Sequence, residues 1–267
     1  MLEKSIIVAA HPDDEILWFS SIIDKVNEIV LCFLYRQHNN KFRIPDITSG
    51  REKSLQEYPI KTTSNLCLSE AAVFSSDNWN NPVTTKYGLK LSDKSISDKQ
   101  YIKNYYILME KLQNKLKGYQ NVFTHNPWGE YGHEEHIQIY RVIRDLQKNM
   151  NFNIWYNNYC STKSYDLMLR CISVSDSKYV TLKTNKILGN EIKDLYMKNN
   201  CWSWYSDWEW FNEESFRKDE IFESVKNKHN HNFPLNMVKV EYSKKKLIFR
   251  NFQKLSVGIA RNQNKSN

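Results

Sequence analysis

The chain has 267 residues, 40% of them hydrophobic, and a formal net charge of +8. That apolar content is enough for a real core and excludes disorder along most of the length; no stretch reaches the ~20 consecutive apolar residues of a bilayer-spanning helix. The charge sits at one end: from Lys239 onward eight basic residues face a single acidic one, Glu241, so the rest of the chain is nearly neutral and a nucleic-acid binder, for which no motif is present, is excluded.

Five cysteines, Cys32, Cys67, Cys160, Cys171 and Cys201, are odd in number with no C-x-x-C pair, pointing to reduced thiols in a cytoplasm and away from a cysteine-held zinc. Only about six apolar residues precede His11, short of the ~7–15 of a signal sequence, so the chain reads as unprocessed and cytoplasmic.

In chain order, residues 5–10 read as a buried strand, and Ile16, Phe19, Ile23 and Val26 follow at helical spacing before a second apolar run at 29–35. Residues 71–74 suggest a third strand, while 38–66 and 75–100 are polar and read as long loops. Ile102, Tyr105, Met109, Leu112 and Leu116 mark one helix face, ending near Gly118, and 121–124 is another short strand. The loop HNPWGEYGHEEH then leads into a helix carrying Ile137, Tyr140, Ile143 and Leu146, followed by a strand at 153–156. Runs at 238–242 and 246–252 suggest a late hairpin. The alternation predicts a Rossmann-like α/β fold: a mostly parallel, twisted sheet with helices on both faces and an irregular C-terminal third, residues 1–267 forming one domain with a basic segment at 239–267.

Two polar clusters fall at strand ends, where open α/β sheets place their ligands. In the first, VAAHPDDEILWF, His11 is followed by Asp13, Asp14 and Glu15, a crowding of like charge that calls for a cation. In the second, His133 and His136 stand three apart at a helix start and can point into one space. Together they offer two imidazoles and a carboxylate with residues to spare, the donor set of a catalytic zinc. The same set formally fits a two-histidine, one-carboxylate iron oxygenase, although those sites usually lie on all-β scaffolds.

AAHPDDE together with THNPWGEYGHEEH resembles the PIG-L/LmbE-like family of metal-dependent N-acetylglucosamine deacetylases, over roughly residues 4–143. The resemblance implies that His11, Asp14 and His136 hold the metal, zinc or another divalent ion such as Fe2+ or Co2+, and that Asp13 is the general base. It implies for His133, in protonated form, a role in balancing the oxyanion and helping the amine leave, for Tyr131 a contact to the oxyanion, and for Arg51 a contact to substrate. Glu15 is expected to orient a ligand from behind. The chain departs from the family pattern at Leu17, Trp18 and Phe19 after the acidic loop, at Glu134-Glu135 between the histidines, and at Ser54, where an acidic residue is usual.

The expected substrate is an N-acetylated amino sugar, free, nucleotide-linked or lipid-linked. The basic C-terminal segment makes a phosphate-bearing form or a peripheral membrane contact attractive, against the plainer reading of a solvated tail. In CWSWYSDWEWF, residues 201–211, Trp204 and Trp208 can form a sugar platform, or the alternating tryptophans can pack strand-like over the core. His125 is read as lining the site or as a hydrogen-bonded loop residue; His38, His229 and His231 are read as loop residues. A catalytically idle carbohydrate-binding protein is the alternative from another class; the intact Asp13 argues against it.

Overall fold

The computed structural model describes residues 2–36, 47–76, 78–92, 96–172, 178–219 and 233–240. His38, His229, His231, the run at 246–252 and nearly all of the basic segment lie outside the described residues. The elements are β1 (Ser5–Ala9), α1 (Asp14–Leu17), β2 (Glu28–Tyr35), α2 (Thr48–Gln56), β3 (Thr63–Ser69), β4 (Thr84–Thr85), β5 (Gly88–Leu89), α3 (Ile96–Lys115) and β6 (Asn121–Thr124). They continue as α4 (Glu134–Gln147), β7 (Asn153–Asn157), β8 (Tyr159–Cys160), α5 (Tyr165–Ile172), β9 (Tyr179–Lys183), α6 (Lys186–Lys198), β10 (Glu213–Asp219) and β11 (Asn236–Met237).

Seven strands form one sheet in the order β3-β2-β1-β6-β7-β10-β9. The first five run parallel, and β10 pairs antiparallel with both β7 and β9. β1 is fully buried, as a central parallel strand must be, and its residues alternate: Ile6 and Val8 face the α3–α4 side, Ile7 and Ala9 the side of α1 and α6. Each such large side chain contributes roughly 1.5–3 kcal/mol on burial. Chain order reverses between β1 and β6, so the crevice at their carboxyl ends is the topological switch point. No helix among the described residues is long and apolar enough to cross a membrane.

The structure differs from the sequence reading in three places. The first helix is a single turn, because the N–H groups of Ser20 and Ser21 donate to the buried Glu214 carboxylate instead of continuing it. The third strand is β3, not residues 71–74: Ala71 donates its N–H to Glu135, and positive φ at Ala72 and Ser75 turns that segment across the sheet end. Helix α2 occupies part of the expected polar loop. Val238 donates to the Cys160 carbonyl beside the β8–β11 pair, and the rest of the expected hairpin lies outside the described residues.

Among the described residues after 178, β9, α6 and β10 are regular elements that the sequence reading did not name. β10 buries Glu214, Ser215 and Arg217, polar residues that hide a strand from any apolar periodicity.

Candidate metal centre

His11 follows β1 and His125 follows β6, so adjacent strands deliver the two loops to one place. Asp13 adopts φ 110°, a left-handed conformation costly for a side chain other than glycine, and its N–H is caught by Glu15 Oε2 at 2.9 Å. The turn presents Asp14 inward. Its Oδ2 accepts the His11 N–H at 2.8 Å and lies 3.1 Å from His11 Nδ1 and 3.2 Å from His136 Nε2. Trp18 Nε1 holds the other oxygen at 2.8 Å.

The far nitrogen of each histidine rests on a buried glutamate. His11 Nε2 meets Glu135 Oε2 at 3.1 Å, and His136 Nδ1 meets Glu130 Oε2 at 2.7 Å. A carboxylate behind an imidazole fixes its tautomer and aims the near nitrogen, which is how histidine ligands are held to metals. His136 Nε2 is buried, aimed at the cluster, and makes no hydrogen bond. His11, His133 and His136 bring ligand atoms within 4.8 Å of one another, as do Asp14, His125 and His136, so the chain can hold a divalent cation here.

Hydrogen bonds decide which members of these sets have a lone pair to give. His125 Nε2 accepts the Ala10 N–H at 2.8 Å, so its hydrogen is on Nδ1, pointing at Glu130, and neither nitrogen is available to a metal. His125 is therefore both buried at the site and structural. His133 caps α4, its Nδ1 accepting the Glu135 N–H at 3.2 Å, which leaves Nε2–H as a donor. Burial, then the charges of His136 and His11, depress its pKa well below the ordinary value, which works against the protonated form expected from sequence.

Burial opposes charge on the other rings too, and on His11 and His136, though not on His125, the carboxylates outweigh it. Asp14 and Glu135 raise His11 to about 10, and Asp14 with Glu130 raises His136 to about 9. Burial likewise works against Asp14 and Glu130, yet the histidines hold Asp14 well below the usual range and pull Glu130 down to about 2. Asp13 goes the other way. Burial and the neighbouring Asp14 charge raise it to about 6, which suits a general base near neutrality.

The remaining expected residues fall around this cluster. Glu15 accepts hydroxyls from Tyr58 at 2.6 Å and Tyr196 at 2.7 Å, so it holds the turn and the Asp13 backbone. Arg51 is 2% exposed and directs Nη1 to Glu70 Oε1 at 2.6 Å. Arg51 thus pairs with Glu70 and faces Asp13 as a charge rather than opening to solvent. Tyr131 lies among Trp18, Phe74, His133, His136 and Trp204, with Trp204 at 4.7 Å between ring centroids.

The Trp-rich segment is an irregular cover, not a strand: Trp204 and Trp210 are buried, and Trp208 is half-buried against Trp18 and Trp204. Sequence reasoning missed the roles of Glu130 and Glu135. Glu130 was detectable as an acid flanked by Gly129 and Tyr131 in a loop with no basic partner nearby.

No family model matches the chain. An uncharacterized protein of Acanthamoeba polyphaga mimivirus is 24% identical over 201 residues, covering 73% of this chain and 80% of that protein. Among solved structures, a deacetylase–teicoplanin complex from the biosynthesis pathway of teicoplanin superposes with a TM-score of 0.51 at 10% identity, covering 82% of this chain and 99% of the other. A complex of deacetylase with bog from that pathway gives 0.50 over the same shares, also at 10% identity. At such identity the likeness is one of fold.

Proposed function

We propose that the chain is a metal-dependent deacetylase that removes the acetyl group from an N-acetylated amino sugar, residues 1–267 forming one PIG-L/LmbE-like domain. The observation that carries the reading is the buried Asp14 carboxylate between His11 Nδ1 and His136 Nε2, each ring backed by its own glutamate. The fold shared with deacetylase structures supports it. His11, Asp14 and His136 would hold zinc; imidazole with carboxylate also admits Fe2+ or Co2+. Such an ion, when bound, polarises an amide carbonyl and lowers the pKa of a water toward ~7.

The chain's own residues supply the rest. Asp13 takes the proton of the attacking water and returns it to the departing amine, its raised pKa serving both steps. His133 donates Nε2–H to the oxygen on which negative charge develops, and Tyr131 stands beside it. Trp204 and Trp208 give a sugar ring an aromatic face, and Arg51 tunes Asp13 from behind. Phosphate on the sugar, membrane contact through the basic segment and a cytoplasmic location belong to the proposal.

The test is acetate release from free, nucleotide-linked and lipid-mimicking N-acetylglucosamine. Metal-loaded protein is expected to release acetate; chelation is expected to abolish it, and Asp13→Asn to cut it by about 10²–10⁴-fold with metal content unchanged. No release from any member by loaded protein would overturn the reading in favour of an idle binding protein.

A further inference from the structure

The acidic loop is tied down by the C-terminal third. Tyr196 bonds Glu15, Trp210 Nε1 donates to the Ile16 carbonyl at 2.5 Å, and Ser203 reaches Asp13. Ser203 makes two bonds to the same atom: its hydroxyl donates to Asp13 Oδ2 at 2.5 Å and its N–H donates there at 3.2 Å. The Ser203 side chain belongs to an exposed residue and contributes little to the core, yet it bonds a carboxylate that is 2% exposed.

We propose that Ser203 is a positioning residue that fixes the Asp13 carboxylate for proton transfer. This rests on the reading of Asp13 as the base. A carboxylate free to rotate about its terminal bond offers either oxygen in many directions, and a base must hold one oxygen within hydrogen-bond reach of the proton it takes. Two donors on Oδ2 stop that rotation and commit Oδ2, so the proton falls to Oδ1. The hydroxyl bond is much the shorter of the two, and without it a single N–H at 3.2 Å remains. The Trp-rich segment thereby contributes to the chemistry through a serine as well as to the cover through its rings.

The experiment compares kcat and KM of metal-loaded wild type, Ser203→Ala, Ser203→Thr and Asp13→Asn on whichever N-acetylglucosamine compound the wild type hydrolyses. Thermal melting and metal content are recorded for each. Ser203→Ala is expected to lower kcat about tenfold, the scale of one hydrogen bond to a charged group, with KM within about twofold and melting unchanged. Ser203→Thr restores the hydroxyl and is expected to recover kcat to within about threefold of wild type. Wild-type kcat in Ser203→Ala while Asp13→Asn is inactive overturns the inference and leaves the deacetylase reading standing. Equal losses in Ser203→Ala and Ser203→Thr also overturn it, because the hydroxyl would not be the cause. Absence of release from wild type fails the deacetylase reading, and the inference falls with it.

Discussion

The two loops that meet at the cluster are held in opposite ways. The loop 125–136 is bonded within itself and to the segment that follows it: Glu130 accepts from the Asn126 N–H, His125 and His136, all within six residues, the Asn126 side chain accepts from Trp128 and Glu130, and Asn126 and Trp128 donate to the Tyr159 carbonyl. Three of the four residues 129–132 have positive φ, and a Cβ at Gly129 would lie 2.5 Å from the His133 carbonyl. The acidic loop instead depends on Tyr58, Glu135, Tyr196, Ser203 and Trp210, all more than forty residues away. One half of the centre is therefore held mainly by itself and by chain that follows within about thirty-five residues, whereas the other draws on donors and acceptors from across the chain.

The sharpest way to break this contrast is Glu130→Ala. It strips the acceptor from two buried imidazoles, the Asn126 N–H and the Asn157 amide, and breaking a buried pair of this kind costs about 3–5 kcal/mol. Urea unfolding should show that loss. Metal titration of the folded fraction should show affinity down by roughly 10–100-fold, as for loss of a carboxylate behind a histidine ligand. A variant as stable as wild type would mean that the bonds to Tyr159 and Ser164 suffice to hold the loop.

Each loop gives the cluster one histidine of raised pKa, and pH can separate them. His11 and His136 are raised to about 10 and about 9, above the 6.5 of the unfolded chain. The stability they contribute in metal-free protein is full below pH 6.5 and is lost as pH rises through 9 to 10. Metal needs deprotonated rings, so its apparent affinity climbs across that window. Melting of chelated protein is expected to fall by a few kcal/mol between pH 6.5 and 10, while loaded protein stays level. Glu135→Gln should flatten the part due to His11, and Glu130→Gln the part due to His136.

The same contrast explains what could be read from sequence. β1, β2, β6, α4 and the parallel order follow from apolar runs and spacing, and both histidine loops could be placed at strand ends because short motifs write themselves locally. Glu135, Ser203 and Tyr196 could not be assigned, since their roles arise from contacts made across 124 to 190 residues of chain. β3 was missed because its residues, from Thr63 to Ser69, are only partly buried on a sheet edge, and β10 because it buries a glutamate and an arginine. The capping role of His133 Nδ1 depends on a single backbone N–H at a helix start, a detail that no spacing of residue types encodes.

The smallest expected effect probes the externally held loop. Tyr58 and Tyr196 both donate to Glu15 Oε1, and burial has already raised that carboxyl to about 7, with the two hydroxyls holding it down. Removing one hydroxyl leaves the other, so Tyr58→Phe or Tyr196→Phe alone should cost about 1–2 kcal/mol. Removing both leaves Oε1 without either donor, and the double variant should lose more than the sum, by roughly 0.5–3 kcal/mol, in a double-mutant cycle of urea unfolding at pH 8. At pH 5 Glu15 is protonated in the folded protein and needs those donors less, so the coupling should shrink. Strict additivity at pH 8 would show that Glu15, and with it the Asp13 backbone it holds, is secured by something other than these two remote tyrosines.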